Sequence, residues 1–135
     1  MTIYLLLIMF PILNNLNADE LINIEDVNII DIRTTELFLK QEAVFIDNRP
    51  EQKFISGHLK GAVNLPYFKK NDPSNKMTKE NLLKAIGNKD VVVFYCSGQQ
   101  RAYHALKQAE EWGIKAQMYW YKDGFDVWNI PEWIE

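Results

Sequence analysis

Cysteine is almost missing from this sequence. The 135 residues contain one, Cys96, which excludes an internal disulfide. Histidine is nearly as scarce, with two, and without a second cysteine or a histidine cluster the chain offers no metal site. No basic stripe is present: 15 Lys and Arg against 18 Asp and Glu give a net charge of -3, and the lysines are scattered among acids, which argues against a nucleic-acid partner. Charged side chains are absent from the opening "MTIYLLLIMFPILNNLNA" and begin at Asp19. The apolar run from Ile3 to Leu13 is too short to cross a bilayer. With polar residues and Ala18 behind it, residues 1–18 read as a secretory signal cleaved near Ala18–Asp19, although no basic residue precedes the run. The expectation is an exported, periplasmic protein whose mature form has no membrane span. The alternative is an apolar segment that packs on the domain or anchors it loosely.

Internal repeats and low-complexity tracts are missing too. What remains, 47% hydrophobic overall, suffices for one core and therefore for one domain over residues 19–135. "AVFID" and "VVVFY" are short, β-rich apolar runs suited to strands buried on both faces, and "KAQMYWY" is a third candidate. Helical patterns alternate with them. "AYHALKQAEEWG" sets Ala102, Ala105, Leu106, Ala109 and Trp112 on one face, with Gly113 as its stop. "TKENLLKAIG" has Thr78 as N-cap and Gly87 as its end, "RPEQKFISG" has Pro50 in its first turn, and "TTELFLKQ" forms a further short helix. Strands alternating with helices predict an α/β fold with a mainly parallel sheet covered on both faces. "FKKNDPSNKMT" reads as a surface loop.

A lone cysteine is commonly a small buried hydrophobe, but Cys96 ends an oily strand and precedes "SGQQR" and a helix. In a parallel sheet, ligand-handling side chains collect at such strand ends. The backbone N–H groups of Ser97, Gly98, Gln99 and Gln100 and the positive end of the following helix stabilise an anion there. Arg101 adds a fixed positive charge and is the loop's only cation in this reading. Ser97 and Gly98 are small, so an accessible sulfur is expected. These features favour a reactive thiol over a structural one.

At this point the chain resembles the rhodanese family of single-domain sulfurtransferases, from about Ile24 to the end. "FIDNRPEQKFISGHLKGAVNLP" is similar to the family's strand, Asp-x-Arg turn, acidic helix and Gly-His segment, with Asp47, Arg49, Glu51, Phe54, Gly57, His58, Gly61, Ala62, Asn64 and Pro66 on matching positions. "VVVFYCSGQQR" resembles the strand ending in the catalytic cysteine loop. "YKDGFDVW" resembles the Gly-Gly-x-x-x-Trp ending, with Asp123 in place of the first glycine. The loop from Cys96 to Arg101 has six residues counting both ends, a length the resemblance associates with sulfur transfer; related phosphatases and arsenate reductases use a longer loop.

The resemblance implies that Cys96 takes up sulfane sulfur as a covalent persulfide, with no other cofactor, and passes it to a thiol or to cyanide. The donor would be a polysulfide, a persulfide, thiosulfate or a partner protein. Neutral Gln99 and Gln100 favour the first two over thiosulfate. Asp47 and Arg49 are expected to support the loop, and His58 to be a structural hydrogen-bonding group. His104 should be solvated, and Trp112, Trp120, Trp128 and Trp133 should fill the core and its edges. Tyr119, Trp120 or Tyr121 could instead wall the persulfide. Asp31 and Arg33 repeat the Asp-x-Arg spacing, but "IIDIRTTELF" fits a first strand running into a first helix, with no catalytic part. A different class of reading is a sulfur-carrying, sensing or protein-binding module with little turnover of its own.

Overall fold

The structure, a computed structural model, describes residues 26–98 and 100–135; the expected signal segment 1–18 and Gln99 lie outside the described residues. Five strands form one sheet in the order β1-β5-β4-β2-β3: β1 Asn28–Ile30, β2 Val44–Asp47, β3 Val63–Asn64, β4 Val91–Tyr95 and β5 Gln117–Tyr121. All four pairings between them are parallel. The helices are α1 Ile32–Lys40, α2 Glu51–Ser56, α3 Lys79–Ile86 and α4 Arg101–Glu111, followed by 3-10 turns at Phe125–Val127 and Pro131–Trp133.

Alternation along the strands divides the core into two layers. On one face Ile46, Val92, Phe94, Cys96 and Trp120 pack with Leu82 and Ile86 of α3 and Ala102, Ala105, Leu106 and Ala109 of α4. The opposite face holds Ile30, Phe45, Val93, Tyr95 and Tyr121 with Leu39 of α1, Leu59 and Trp128. The central strand β4 feeds both layers, which is why its sequence is continuously apolar rather than alternating. Thr78 caps α3, its hydroxyl accepting from the Asn81 N–H at 3.1 Å, and Gly87 and Gly113 stand at the ends of α3 and α4. Helix α1 begins at Ile32, because Asp31 rather than a later residue supplies its N-cap.

Strand β3 has no counterpart in the sequence reading. Two residues, Val63 and Asn64, carry too little pattern to register. They are held in line by pairing with Ile46 and Asp47 and by Asn64 Nδ2, which donates to the carbonyls of Asp47 at 3.0 Å and Arg49 at 2.9 Å. With β3 in place, the chain leaves β2 toward one edge of the sheet and leaves β4 toward the other. The switch point, where an open α/β sheet forms its crevice, therefore falls between the carboxyl ends of β2 and β4.

Candidate active site

That crevice is where Asp47, Asn48, Arg49 and Cys96 arrive. Asp47 lies opposite Tyr95, and the ladder extends one residue further, the Asn48 N–H donating to the Tyr95 carbonyl at 2.9 Å. Cys96 and Asn48 thus form the next row, with side chains on the α4 face. Asn48 is fully buried; its Nδ2 donates to the Leu65 carbonyl at 2.9 Å, while its Oδ1 has no hydrogen-bond partner among the described residues.

Asp47 and Arg49 make a buried ion pair, 0% and 3% exposed. The Asp47 carboxylate accepts from the Arg49 backbone N–H at 2.9 Å, from Nε at 3.0 and 3.1 Å and from Nη2 at 2.7 Å. Nη2 also donates to the Gly57 carbonyl at 2.7 Å, and the guanidinium lies 4.3 Å from the centre of the Phe125 ring. Burial alone would lower the Arg49 pKa; hydrogen bonding and charge from Asp47 outweigh it and raise the value. The pair reaches the cysteine loop indirectly, since Phe125, under the guanidinium, donates its N–H to the Cys96 carbonyl at 2.8 Å.

The segment after β5 closes over the start of the loop. Asp126 N–H donates to the Ser97 carbonyl at 3.4 Å. Gly124, at φ +84, packs so tightly that a Cβ there would meet Gly98 N at 2.3 Å and the Ser97 carbonyl carbon at 2.5 Å. This glycine is therefore obligatory for both its dihedral and its contact. Asp123, the departure from the Gly-Gly pattern, contributes its carbonyl to the same packing, 3.0 Å from where a Cβ on Gly98 would stand, and its own φ is not positive. The turn accepts a side chain at 123 and not at 124.

This packing corrects one expectation. Cys96 is 2% exposed and belongs to the apolar cluster on the α4 face, where small neighbours had implied an accessible sulfur; the Gly124 backbone occupies the room that Ser97 and Gly98 leave. A cation from outside the loop also approaches it. Lys53 of α2 reaches Ser97 Oγ at 3.5 Å. The contact spans 44 residues, so only the sheet order, which sets β2 and its following helix beside β4, could have disclosed it. Arg101 opens α4, half-buried, with its guanidinium 5.7 Å from the Phe68 ring centre. Gln100 stands at the N-cap position of the 11-residue α4, whose positive end faces the loop.

The remaining sequence candidates fall where their chemistry puts them. His58 stacks on Phe54 with ring centres 3.7 Å apart, its Nδ1 is 2.8 Å from the Phe54 carbonyl and its Nε2 is 3.4 Å from Glu135. His104 is exposed. Trp120 and Trp128 are core residues, whereas Trp112 and Trp133 are half-buried. Trp120 shares the cluster of Cys96, while Tyr121 faces the other layer. Asp31 caps α1 by accepting from the Thr34 N–H at 2.8 Å.

Residues 35–130 match the rhodanese-like domain. The chain belongs to that family. No curated protein matches the sequence. Among solved structures, the rhodanese-like fold recurs in the reduced CoADR-RHD of Bacillus anthracis (19% identity, TM-score 0.61, covering 80% of this chain and 18% of that one). It recurs in the thiosulfate sulfurtransferase of Pseudomonas aeruginosa (14%, 0.66, 82% and 20%) and in the As-Sb reductase of Leishmania major (18%, 0.59, 76% and 77%). The present chain thus spans about a fifth of the first two and most of the third. This rhodanese-like domain is related to sulfurtransferases, and no helix among its described residues is long and apolar enough to cross a membrane.

Proposed function

We propose that this rhodanese-like protein is a sulfurtransferase with Cys96 as nucleophile and persulfide carrier. The observation that carries the reading is the position of Cys96: it follows the central strand at the switch point of the sheet and stands just before the positive end of α4, in a loop of six residues. There the thiolate attacks a sulfane sulfur. An Sγ–S bond forms, the donor's S–S bond breaks, and the leaving group departs with the electron pair. An acceptor thiolate or cyanide then attacks the outer sulfur and returns Cys96 as thiolate. The backbone amides of the loop and the α4 dipole stabilise the anion at each stage, Arg101 adds charge, and Asp47 with Arg49 holds Phe125 against the loop.

Intact mass before and after incubation with polysulfide or thiosulfate, repeated with Cys96→Ser, tests this. The expected result is a gain of one sulfur atom, absent from the variant and released by cyanide as thiocyanate. If no sulfur donor loads the wild type, the reading falls.

The burial of Cys96 supports a second reading, a sulfur carrier that discharges only to a specific partner protein; a persulfide that forms but resists small thiols would select it. Phosphatase chemistry, or the reductase chemistry for which the Leishmania protein is named, is disfavoured by the short loop, and Cys96-dependent hydrolysis of an aryl phosphate or reduction of arsenate would revive it. We also propose export, from residues 1–18 alone; a mature N-terminus at Asp19 in the expressing cell supports it and an intact Met1 refutes it.

A further inference from the structure

The polar stretch "FKKNDPSNKMT", which reads as a surface loop, is braced along its length. Its base is tied twice. The Tyr67 N–H donates to the carbonyl of Asn48, the neighbour of Cys96 in the sheet row, at 3.2 Å, and the Lys76 and Met77 N–H groups donate to the Pro66 carbonyl at 3.0 and 3.2 Å. Within the loop, Asn75 Oδ1 accepts from the Phe68 N–H at 2.7 Å and Asn75 Nδ2 donates to the Lys69 carbonyl at 2.7 Å. Tyr67 and Met77, at its two ends, are buried. The backbone of Phe68 is therefore fixed, yet its side chain is one of the large apolar groups left in solvent, 40% exposed.

Arg101, half-buried at the end of the cysteine loop, stands over that ring. Its guanidinium carbon is 5.7 Å from the ring centre, within cation–π range, and it belongs to no ion pair among the described residues. An arginine side chain is long and has much rotamer freedom. Without a carboxylate to hold it, a ring on a braced loop is what limits where this charge stands. The contrast is Arg49, which Asp47 holds and neutralises. A ring holds a guanidinium without cancelling its charge, so the cation stays available to an incoming anion. We propose that Phe68 is a positioning residue for Arg101, keeping that cation at the cysteine loop so that the site favours anionic sulfur donors such as polysulfide, persulfide or thiosulfate over neutral ones. This deepens the sulfurtransferase reading and rests on Cys96 as the reacting group.

Alkylation of the chain's single cysteine tests this without requiring sulfur transfer. The Cys96 thiolate attacks iodoacetate, an anion, or iodoacetamide, which is neutral: an Sγ–C bond forms, the C–I bond breaks and iodide leaves with the electron pair. Both rates are followed by intact mass, and their ratio reports the charge that an anion meets at the sulfur. Phe68→Leu keeps an apolar side chain without the ring, and Phe68→Tyr keeps the ring. Arg101→Gln removes the cation, alone and combined with Phe68→Leu. Phe68→Leu is expected to lower the iodoacetate-to-iodoacetamide ratio by about threefold, the size of an exposed cation–π contact, Phe68→Tyr to retain it, and Arg101→Gln to lower it at least as far. In the Arg101→Gln background, Phe68→Leu should add nothing, because the ring acts through the arginine. An unchanged or raised ratio in Phe68→Leu, an equal loss in Phe68→Tyr, the same loss in the absence of Arg101, or no alkylation by either reagent overturns the proposal. The ratio pattern without sulfur loading removes the transfer reading and leaves the positioning role; loading without the pattern removes the positioning role alone.

Discussion

The chain writes Asp-x-Arg twice at the end of a strand, as "DIR" at Asp31 and "DNR" at Asp47, and the two become different objects. Asp47 is the last residue of β2, in a row that crosses the sheet through Ile30, Tyr121 and Tyr95. Asp31 stands one residue beyond Ile30, and a shift of one residue turns a side chain to the other face. The strands differ as well: β1 is an edge with three residues, whereas β2 lies between β4 and β3. The first pair therefore leaves Asp31 and Arg33 exposed, with the acid capping α1. The second buries both partners against Tyr95 and Phe125. Three letters do not define the motif; their offset from the ladder and the cover above it do.

The sharpest way to break this comparison is to remove each arginine. Arg49→Ala strands a buried carboxylate and should cost about 3–5 kcal/mol, read by urea unfolding, while Arg33→Ala should stay within about 0.5 kcal/mol. Equal losses would mean that burial does not separate the pairs.

A smaller effect is expected in the row of Asp47 itself. The Tyr121 hydroxyl is buried without a hydrogen-bond partner among the described residues, and burial, with the Asp123 charge adding, pushes it up to about 12. Above the ordinary tyrosine value of about 10 the unfolded chain loses this proton while the folded chain keeps it, so stability falls as pH rises through that interval. Tyr121→Phe should be neutral or stabilising by up to about 1 kcal/mol at neutral pH, and should flatten the alkaline limb of the stability profile.

Smallest is the exposed aspartate. The Thr34 backbone hydrogen bond holds the Asp31 carboxyl below its ordinary value, so its contribution is present above the usual carboxylate range and is lost as pH falls through the lowered value. Asp31→Ala should lower the thermal midpoint slightly at neutral pH and leave the acid limb shallower; an unchanged acid limb would show that the cap does not hold this carboxylate.

Much of the fold is legible in the chain itself, for physical reasons that residues make plain. Continuous apolar runs disclose β2 and β4 because a parallel sheet buries both faces, and Thr78, Gly87 and Gly113 mark helix ends through local chemistry. The position of Cys96 at a strand end follows from the same patterns. What stays hidden depends on contacts distant in sequence. Strand β3 exists through its pairing with β2, the cover over Ser97 and Gly98 through the Gly124 backbone, and the approach of Lys53 through the order of strands in the sheet.

That order has a consequence for the chain before it is complete. The apolar run Val91–Tyr95 is bordered on one side by β2, and on the other by β5, which begins at Gln117. A nascent or truncated chain that stops short of β5 leaves "VVVFY" as an uncharged, β-branched open edge, the kind that recruits strands from other molecules. The second side of this run is covered only when β5, which follows after 21 intervening residues, 96–116, has been added.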